Sequence, residues 1–367
     1  MRLFEYEGKA LLAQHGVQVP RGVLWPELPD VTGPMVVKAQ ILGGRRGKQG
    51  GIRFVRGPEE CRQAAEALLG SCLGEHPVEQ VYIEERLEIQ RELYLAILID
   101  RDRRAPLLVA SPRGGMEVED SPEGEMVQLS IDPLLGLRPF AVRHVMSRLG
   151  LSGDVARQAF DTINGVYQAF KTAEAELVEI NPLAVTSGGY LVAADAKVVL
   201  DDEAAFRHPE WHLGPREGTA FERSCAASGA VGVELDGDVA VVVSGAGLMM
   251  ATVDHLGAAG VKLRAAVDLG GTAFSNIEQL VRVIRLVIDL EPRVIFVNAF
   301  FNLAFCDFLA RGVAEGFGDK GYRGRVVVRL KGRKLSEAKA ILAPLGFTMF
   351  EDLLDAIDAV VALARER

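Results

Sequence analysis

From Asp238 onward the chain alternates short β-branched runs with stretches of helical period, and that alternation predicts a doubly wound parallel sheet. Val239–Ser244 reads as a buried strand running into Gly245-Ala246-Gly247 and a helix. Leu263–Asp268 is a second strand, closed by Gly270-Gly271. Ile277–Asp289 has helical spacing, Val294–Asn298 reads as a strand, Phe308–Phe317 as a helix and Arg325–Arg329 as a strand. Ser336–Pro344 and Leu353–Ala364 complete the series as helices. Apolar runs of strand length, with no polar alternation, belong to strands covered on both faces. Glycines at their ends lie where such sheets bind ligands.

The residues before Asp238 follow a different grammar. Leu3 to Gly16 has helical spacing, and Pro20, Pro26, Pro29 and Pro34 punctuate the connection after it. Pro58–Leu69 reads as a helix; Val81–Glu84, Glu92–Ile99 and Leu107–Ser111 read as strands, with Arg101-Asp102-Arg103-Arg104 as a hairpin turn. Phe140–Leu149 and Val155–Phe170 are helical. Ala175–Ile180 and Tyr190–Ala194 are strands around Ser187-Gly188-Gly189. Pro209, Gly214 and Pro215 mark a loop-like segment.

The sharpest local motif is Val36-Val37-Lys38-Ala39-Gln40-Ile41-Leu42-Gly43-Gly44-Arg45-Arg46-Gly47-Lys48-Gln49-Gly50-Gly51. An apolar run reaches a lysine, and a loop of glycines and cations follows. Glycine lets backbone N–H groups approach an oxyanion, and Lys and Arg supply charge, so the stretch reads as a phosphate-handling hairpin. Gln49 follows Lys48, so it is not a P-loop. A solvated basic turn is the bland alternative. Lys38 is either a snorkelling edge residue or a phosphate ligand.

Net charge bounds the partner class. The chain of 367 residues is 49% hydrophobic and carries −9, which disfavours a general nucleic-acid role and suits a small anionic ligand at a local basic loop. Cys61, Cys72, Cys225 and Cys306 are scattered, without C-x-x-C, and read as free thiols in a reducing compartment. Met1-Arg2-Leu3-Phe4-Glu5-Tyr6-Glu7 lacks the apolar core of a signal peptide, and no apolar run reaches transmembrane length, so a cytoplasmic protein is expected.

Oxygen ligands appear at three places. Glu84 closes the strand Val81-Tyr82-Ile83, and Glu92 opens another; surface salt bridges or nucleotide acceptors both suit them. In Glu179-Ile180-Asn181-Pro182-Leu183, Glu179 and Asn181 share one face of an extended segment, and Asp195 lies on the following strand. Asn181 and Asp195 across a hairpin would offer hard oxygens to Mg²⁺, which takes one or two protein ligands plus phosphates and water; a polar turn is the alternative. His15, His76, His144, His208, His212 and His255 read as structural or surface residues.

Together these motifs resemble the β subunit of succinate–CoA ligase, within the ATP-grasp superfamily; malate–CoA ligase β subunits and part of ATP-citrate lyase share the plan. The resemblance rests on Leu3 to Leu12, Val37-Lys38-Ala39-Gln40, Gly44 to Gly51, Arg91-Glu92-Leu93-Tyr94-Leu95, Gly114 to Glu119, Leu177 to Leu183, Ala193 to Lys197 and Asp201 to Pro209. It implies an α/β chain: an ATP-grasp domain over 1–212 (subdomains about 21–95 and 96–212), a linker over 213–237, and a flavodoxin-like CoA-ligase domain over 238–367. Carried over by motif, Lys38, Arg45, Arg46, Gly47, Glu84 and Glu92 contact the nucleotide, Asn181 and Asp195 hold Mg²⁺, and Glu179 lies near the transferred phosphoryl group. ATP or GTP would be the donor. The phospho-carrier histidine and the CoA site would lie on a partner α subunit, since this chain has no Gly-His-Ala-Gly segment. An αβ or α2β2 assembly acting on a small di- or tricarboxylate is implied, with no nucleic acid and no membrane.

Departures concentrate in the half expected to meet the acid. Ser244 stands where the family usually has Asn before Gly245-Ala246-Gly247, and Phe301-Asn302 replace two loop glycines. Ser244, Asn302, Leu303 and Ala304 are the expected acid-binding positions, with Asn302 in a loop that opens a helix. Three readings stay open: a ligase of altered acid specificity, a nucleotide-binding paralogue with weak or no ligase activity, and ordinary succinate specificity with tolerated drift. A carboxylate–amine ligase with the same nucleotide clamp is a further class.

Overall fold

The computed structural model describes all residues except 32, 45, 75, 116–124, 212–215, 217, 272–274, 319–320 and 367. Two compact units result, Met1–Trp211 and His212–Arg367. Among the described residues, no helix is long and apolar enough to cross a membrane.

Among the described residues, the first unit contains two larger antiparallel sheets and a two-stranded ribbon, Cys72–Leu73 with His76–Pro77. The smaller of the two sheets has the spatial order Gly22–Leu24, Gln80–Glu85, Met35–Gln40, Ile52–Val55. Its strand Met35–Gln40 is buried at every position. Helix Pro58–Leu68 covers one face through Cys61, Ala64, Ala65 and Leu68. The larger sheet is built around Ala175–Thr186, which pairs with Ile89–Asp100 on one side and with Leu191–Ala193 and Lys197–Leu200 on the other. Helices Pro139–Arg148 and Gly153–Thr172 bury their apolar stripes on it. Strand Ile89–Asp100 belongs wholly to this larger sheet, so the change of sheet falls between Glu85 and Ile89 rather than near residue 95.

The first helix, Glu5–Gln14, packs against helix Gly153–Thr172 and strand Lys197–Leu200 of the larger sheet. Its inward face is not simply apolar: Glu5, Gly8, Lys9 and Leu12 are all buried. Two charges on that face require partners, and they find them at the site described below.

The second unit has one six-stranded sheet. Its parallel strands run in the order Leu263–Asp268, Val239–Val243, Val294–Phe305, Arg325–Arg333, Thr348–Phe350, which is 2-1-3-4-5 in chain order, the flavodoxin-like arrangement. Helices Ala246–Ala258 and Leu353–Arg365 bury one side, and Ile277–Asp289, Cys306–Phe317 and Leu335–Leu342 the other.

Two segments differ from expectation. Residues 213–237 are not merely a linker. They contain helix Ala220–Ala227, whose Phe221 and Cys225 enter the core, and Val231–Glu234, an antiparallel edge strand on Leu263–Asp268. The segment after Asn298 is strand rather than loop, and it continues to Phe305 before the helix begins at Cys306. The aromatic and aliphatic residues there suit a strand. Phe301 is 3% exposed and packs into the core, paired with Gly332 of the neighbouring strand. Gly332 has φ +141°, and a Cβ there would fall 2.2 Å from the Phe301 carbonyl oxygen. The close approach therefore requires glycine.

Candidate functional site

A cavity of about 530 Å³ opens in the first unit. Glycines 43, 44 and 47 with Arg46 and Lys48 form one wall, and Glu179, Asn181, Asp195 and Lys197 form another. The loop Gly43 to Gly51 follows the fully buried strand Met35–Gln40 and returns through Ile52–Val55, so the sheet presents the cationic turn at its end. Arg45 lies outside the described residues.

The Asn181 wall is set by strand register. Glu179 pairs with Lys197, and Leu183 pairs with Ala193. Positions 181 and 195 lie between these pairs, Asp195 in the short connection between Leu191–Ala193 and Lys197–Leu200. Asn181 also clamps a third segment: its Oδ1 accepts from Gly115 N at 2.6 Å, and its Nδ2 donates to Gly115 O at 3.2 Å. Gly115 has φ +68°, which glycine adopts without strain. Asp195 Oδ1 accepts from Ala196 N at 2.8 Å and from Arg46 Nη2 at 3.0 Å. Burial pushes the Glu179 carboxyl up from its ordinary value; Lys197 opposes that and Asp195 reinforces it.

An ion cluster adjoins the cavity, and Glu5, Arg46 and Asp195 of that cluster line it. Glu5, 4% exposed, forms an ion pair with Lys9 at 2.7 Å and accepts from Lys38 at 2.8 Å and from Arg46. Glu84 forms an ion pair with Lys38 at 2.6 Å and accepts from Lys9. Lys38 also donates to Ala194 O at 2.8 Å. Lys9, Lys38 and Arg46 thus balance Glu5, Glu84 and Asp195. Burial alone would raise the Glu5 carboxyl, but Arg46, Lys38 and Lys9 together hold it well below the usual range. Burial likewise works against the Lys38 ammonium, and Glu5, Glu84 and Asp195 outweigh it, so its pKa rises. Desolvation of so many charges is costly, and only complete pairing makes the cluster tolerable.

The expected site residues therefore fall into four groups. Arg46, Gly47, Glu179, Asn181 and Asp195 line the cavity together. Lys38 and Glu84 lie behind that wall in the ion cluster and are not among the residues lining it. Glu92 is exposed on strand Ile89–Asp100, and a Cβ added to Gly115 would fall 2.2 Å from its Oε2, which places the carboxylate beside the cavity rim. Ser244, Asn302, Leu303 and Ala304 belong to the second unit. Ser244 ends a strand, its N–H donating to Asn298 O at 3.3 Å. Asn302, Leu303 and Ala304 lie in the prolonged strand, where Leu303 is 89% exposed.

Glu5 and Lys9 carry no assigned role in the sequence reading, although they are the hub of the cluster. A charged i,i+4 pair on the inward face beside Gly8 and Leu12 is the signal that marks them. Gln40 joins them, its Oε1 accepting from Tyr6 N at 3.3 Å and its Nε2 donating to Glu5 at 3.4 Å.

The donor chemistry fits a hard divalent cation. Among the described residues no group of three or more His, Cys, Asp or Glu is placed to hold a metal ion. Mg²⁺ needs less, one or two protein oxygens beside phosphate and water. Asn181 and Asp195, which both line the cavity, carry an amide oxygen and a carboxylate of that kind.

Comparison with known proteins follows the same division of the chain. The family model described as ATP-grasp domain matches residues 2–185, and that described as CoA-ligase matches residues 242–363. The chain is 37% identical to the succinate–CoA ligase [ADP-forming] subunit beta of Pyrobaculum aerophilum, covering 100% of both chains. It is 38% identical to the protein of the same name from Rubrobacter xylanophilus, over 100% of this chain and 99% of that one. A probable malate–CoA ligase subunit beta from Mesorhizobium japonicum is 37% identical, over 100% and 98%. Among solved structures, the ATP citrate lyase of Methanothrix soehngenii in complex with citrate and coenzyme A superposes with a TM-score of 0.76 at 19% identity, covering 98% of this chain and 99% of that one. At that identity the likeness is one of fold.

Proposed function

Because the chain belongs to the family of ATP-grasp and CoA-ligase β subunits, we propose that it serves as the β subunit of an ATP-dependent carboxylate–CoA ligase that forms ADP. The observation that carries the reading is the single cavity lined both by Asn181 and Asp195 and by the glycines and cations of the loop after Lys38. A polyphosphate and a hard cation are the ligands that such a pair of walls suits.

In this reading Arg46, Lys48 and the backbone N–H groups of the glycine loop receive the terminal phosphates, with Arg45 and Gly47 part of the same loop. Asn181 and Asp195 hold Mg²⁺, which when bound neutralises charge developing on the transferred phosphoryl group. Glu84 keeps Lys38 charged and oriented, and Glu92 offers an acceptor at the rim for the nucleoside. Glu179, raised by burial and close to Asp195, stands beside the terminal phosphate. The phosphoryl group passes to a histidine of a partner α subunit and then to a carboxylate oxygen of the acid. The thiolate of CoA attacks the resulting acyl phosphate, forming the thioester and releasing phosphate.

The prolonged strand through Phe305 favours a second reading for the acid-binding half. With Phe301 in the core and the helix starting at Cys306, the segment expected to receive the acid is reshaped. A nucleotide-binding subunit with little ligase activity would have this form. The two readings separate in one assay: the chain with its α partner, ATP, Mg²⁺, CoA and a panel of di- and tricarboxylates. A CoA ester from at least one acid is the expected result. Nucleotide binding with no ester from any acid would favour the second reading.

A further inference from the structure

Arg46 is divided between two carboxylates. Its Nη2 donates to Glu5 Oε2 and, at 3.0 Å, to Asp195 Oδ1, while its Nη1 donates to Ala39 O at 3.1 Å. A terminal guanidinium nitrogen carries two hydrogens, so Nη2 spends one on each carboxylate. Glu5 is anchored from behind by Lys9 and Lys38, and Asp195 is on the cavity wall. Arg46 is itself buried, and its guanidinium joins two carboxylates that both line the cavity.

We propose that Arg46 is a counter-ion cap on Asp195, that a polyphosphate lifts this cap, and that Glu5 is the positioning residue that sets its strength by competing for the same Nη2. The inference rests on the reading of Asp195 as a metal-binding carboxylate. A divalent cation and the Arg46 guanidinium compete for Asp195. Phosphate oxygens that draw Arg46 toward them release Asp195, so each ligand eases the binding of the other beyond their association in solution. Such coupling is reciprocal and has a measurable size. Removing the Glu5 charge leaves Asp195 as the sole anionic partner of Arg46, so the cap tightens. Removing the Arg46 charge abolishes it.

The signature is a pair of opposite effects on metal affinity. Mn²⁺ is titrated into the full chain without nucleotide, free Mn²⁺ is read by electron paramagnetic resonance, and folding of each variant is checked by circular dichroism. Arg46→Gln is expected to bind Mn²⁺ about 5-fold more tightly or better. Arg46→Lys, which keeps the charge but loses the bridging fork, should show a smaller gain. Glu5→Gln should bind Mn²⁺ more weakly than the unaltered chain; should it fail to fold, the two Arg46 variants carry the test. Asp195→Asn separates the levels. If it abolishes binding while Arg46→Gln and Arg46→Lys leave affinity unchanged or weaker, the cap is refuted and the metal assignment stands. If Asp195→Asn leaves Mn²⁺ binding intact, the assignment of Asp195 falls, and the cap with it.

Discussion

Lys38 donates to Glu5 across 2.8 Å, which ties a helix at residues 5–14 to the central strand of another sheet through two buried charges. Neither residue can be removed alone without leaving the other exposed to a poorly compensated interior. Lys38→Met is therefore expected to destabilise the first unit by about 3 kcal/mol, within the range for breaking a buried ion pair. Urea denaturation followed by circular dichroism measures it. A loss near zero would mean that the cluster relaxes freely into solvent.

The same cluster gives the unit a pH-dependent stability of known sign. Glu5 has a folded pKa held below its unfolded value, so its contribution is present above about pH 4.3 and is lost as pH falls through the lowered value. Lys38 has a raised pKa, so its contribution is complete below about pH 10.4 and is lost at still higher pH. Stability against pH should be flat between these limits on account of this cluster. In Glu5→Gln, the acid-side fall should become shallower. Thermal melts from pH 2 to 6 of both proteins decide this, and parallel acid limbs would count against it.

Asn181 and Asp195 should separate structure from chemistry. Asn181 makes two hydrogen bonds to Gly115, so Asn181→Ala is expected to cost about 1–3 kcal/mol of stability as well as activity. Asp195 is partly exposed, and without it buried Arg46 keeps the Glu5 carboxylate as a partner, so Asp195→Ala is expected to cost less stability than Asn181→Ala while losing at least about 100-fold in turnover. Paired melting and kinetic measurements would show the contrast. Equal melting losses in both would contradict it.

Phe301 and Gly332 offer a test in the second unit. Phe301→Gly empties a buried ring position and should cost about 3–5 kcal/mol. Gly332→Ala places a Cβ against the Phe301 carbonyl oxygen at a left-handed φ, and should destabilise the same strand pair. Hydrogen exchange at residues 299–305 and 330–333 would report it, with faster exchange expected in both variants.

Much of this was legible in the sequence for physical reasons that differ by region. The alternation after Asp238 shows the parallel sheet because strands covered on both faces need uninterrupted apolar runs. Asn181 and Asp195 are legible as a pair because a short hairpin leaves few registers. The end of strand Val294–Phe305 was not, since a strand prolonged by Phe301 and Phe305 depends on a neighbour, Gly332, distant in sequence. The second unit's edge strand Val231–Glu234 was missed for a similar reason, being short and alternating between exposed and half-buried positions. Glu5 was hidden by its own chemistry: a glutamate on a short N-terminal helix reads as solvated unless the cations of another sheet are known to surround it.

The central claim is that this cavity sends a phosphoryl group to a partner subunit. Terminally radiolabelled ATP, Mg²⁺, the full chain and its α partner are mixed without CoA or acid, and label on the α subunit is measured. The account predicts acid-labile, base-stable label on an α-subunit histidine with the unaltered chain, and its loss with Asp195→Ala. No label on the α subunit, or equal label with Asp195→Ala, would contradict it.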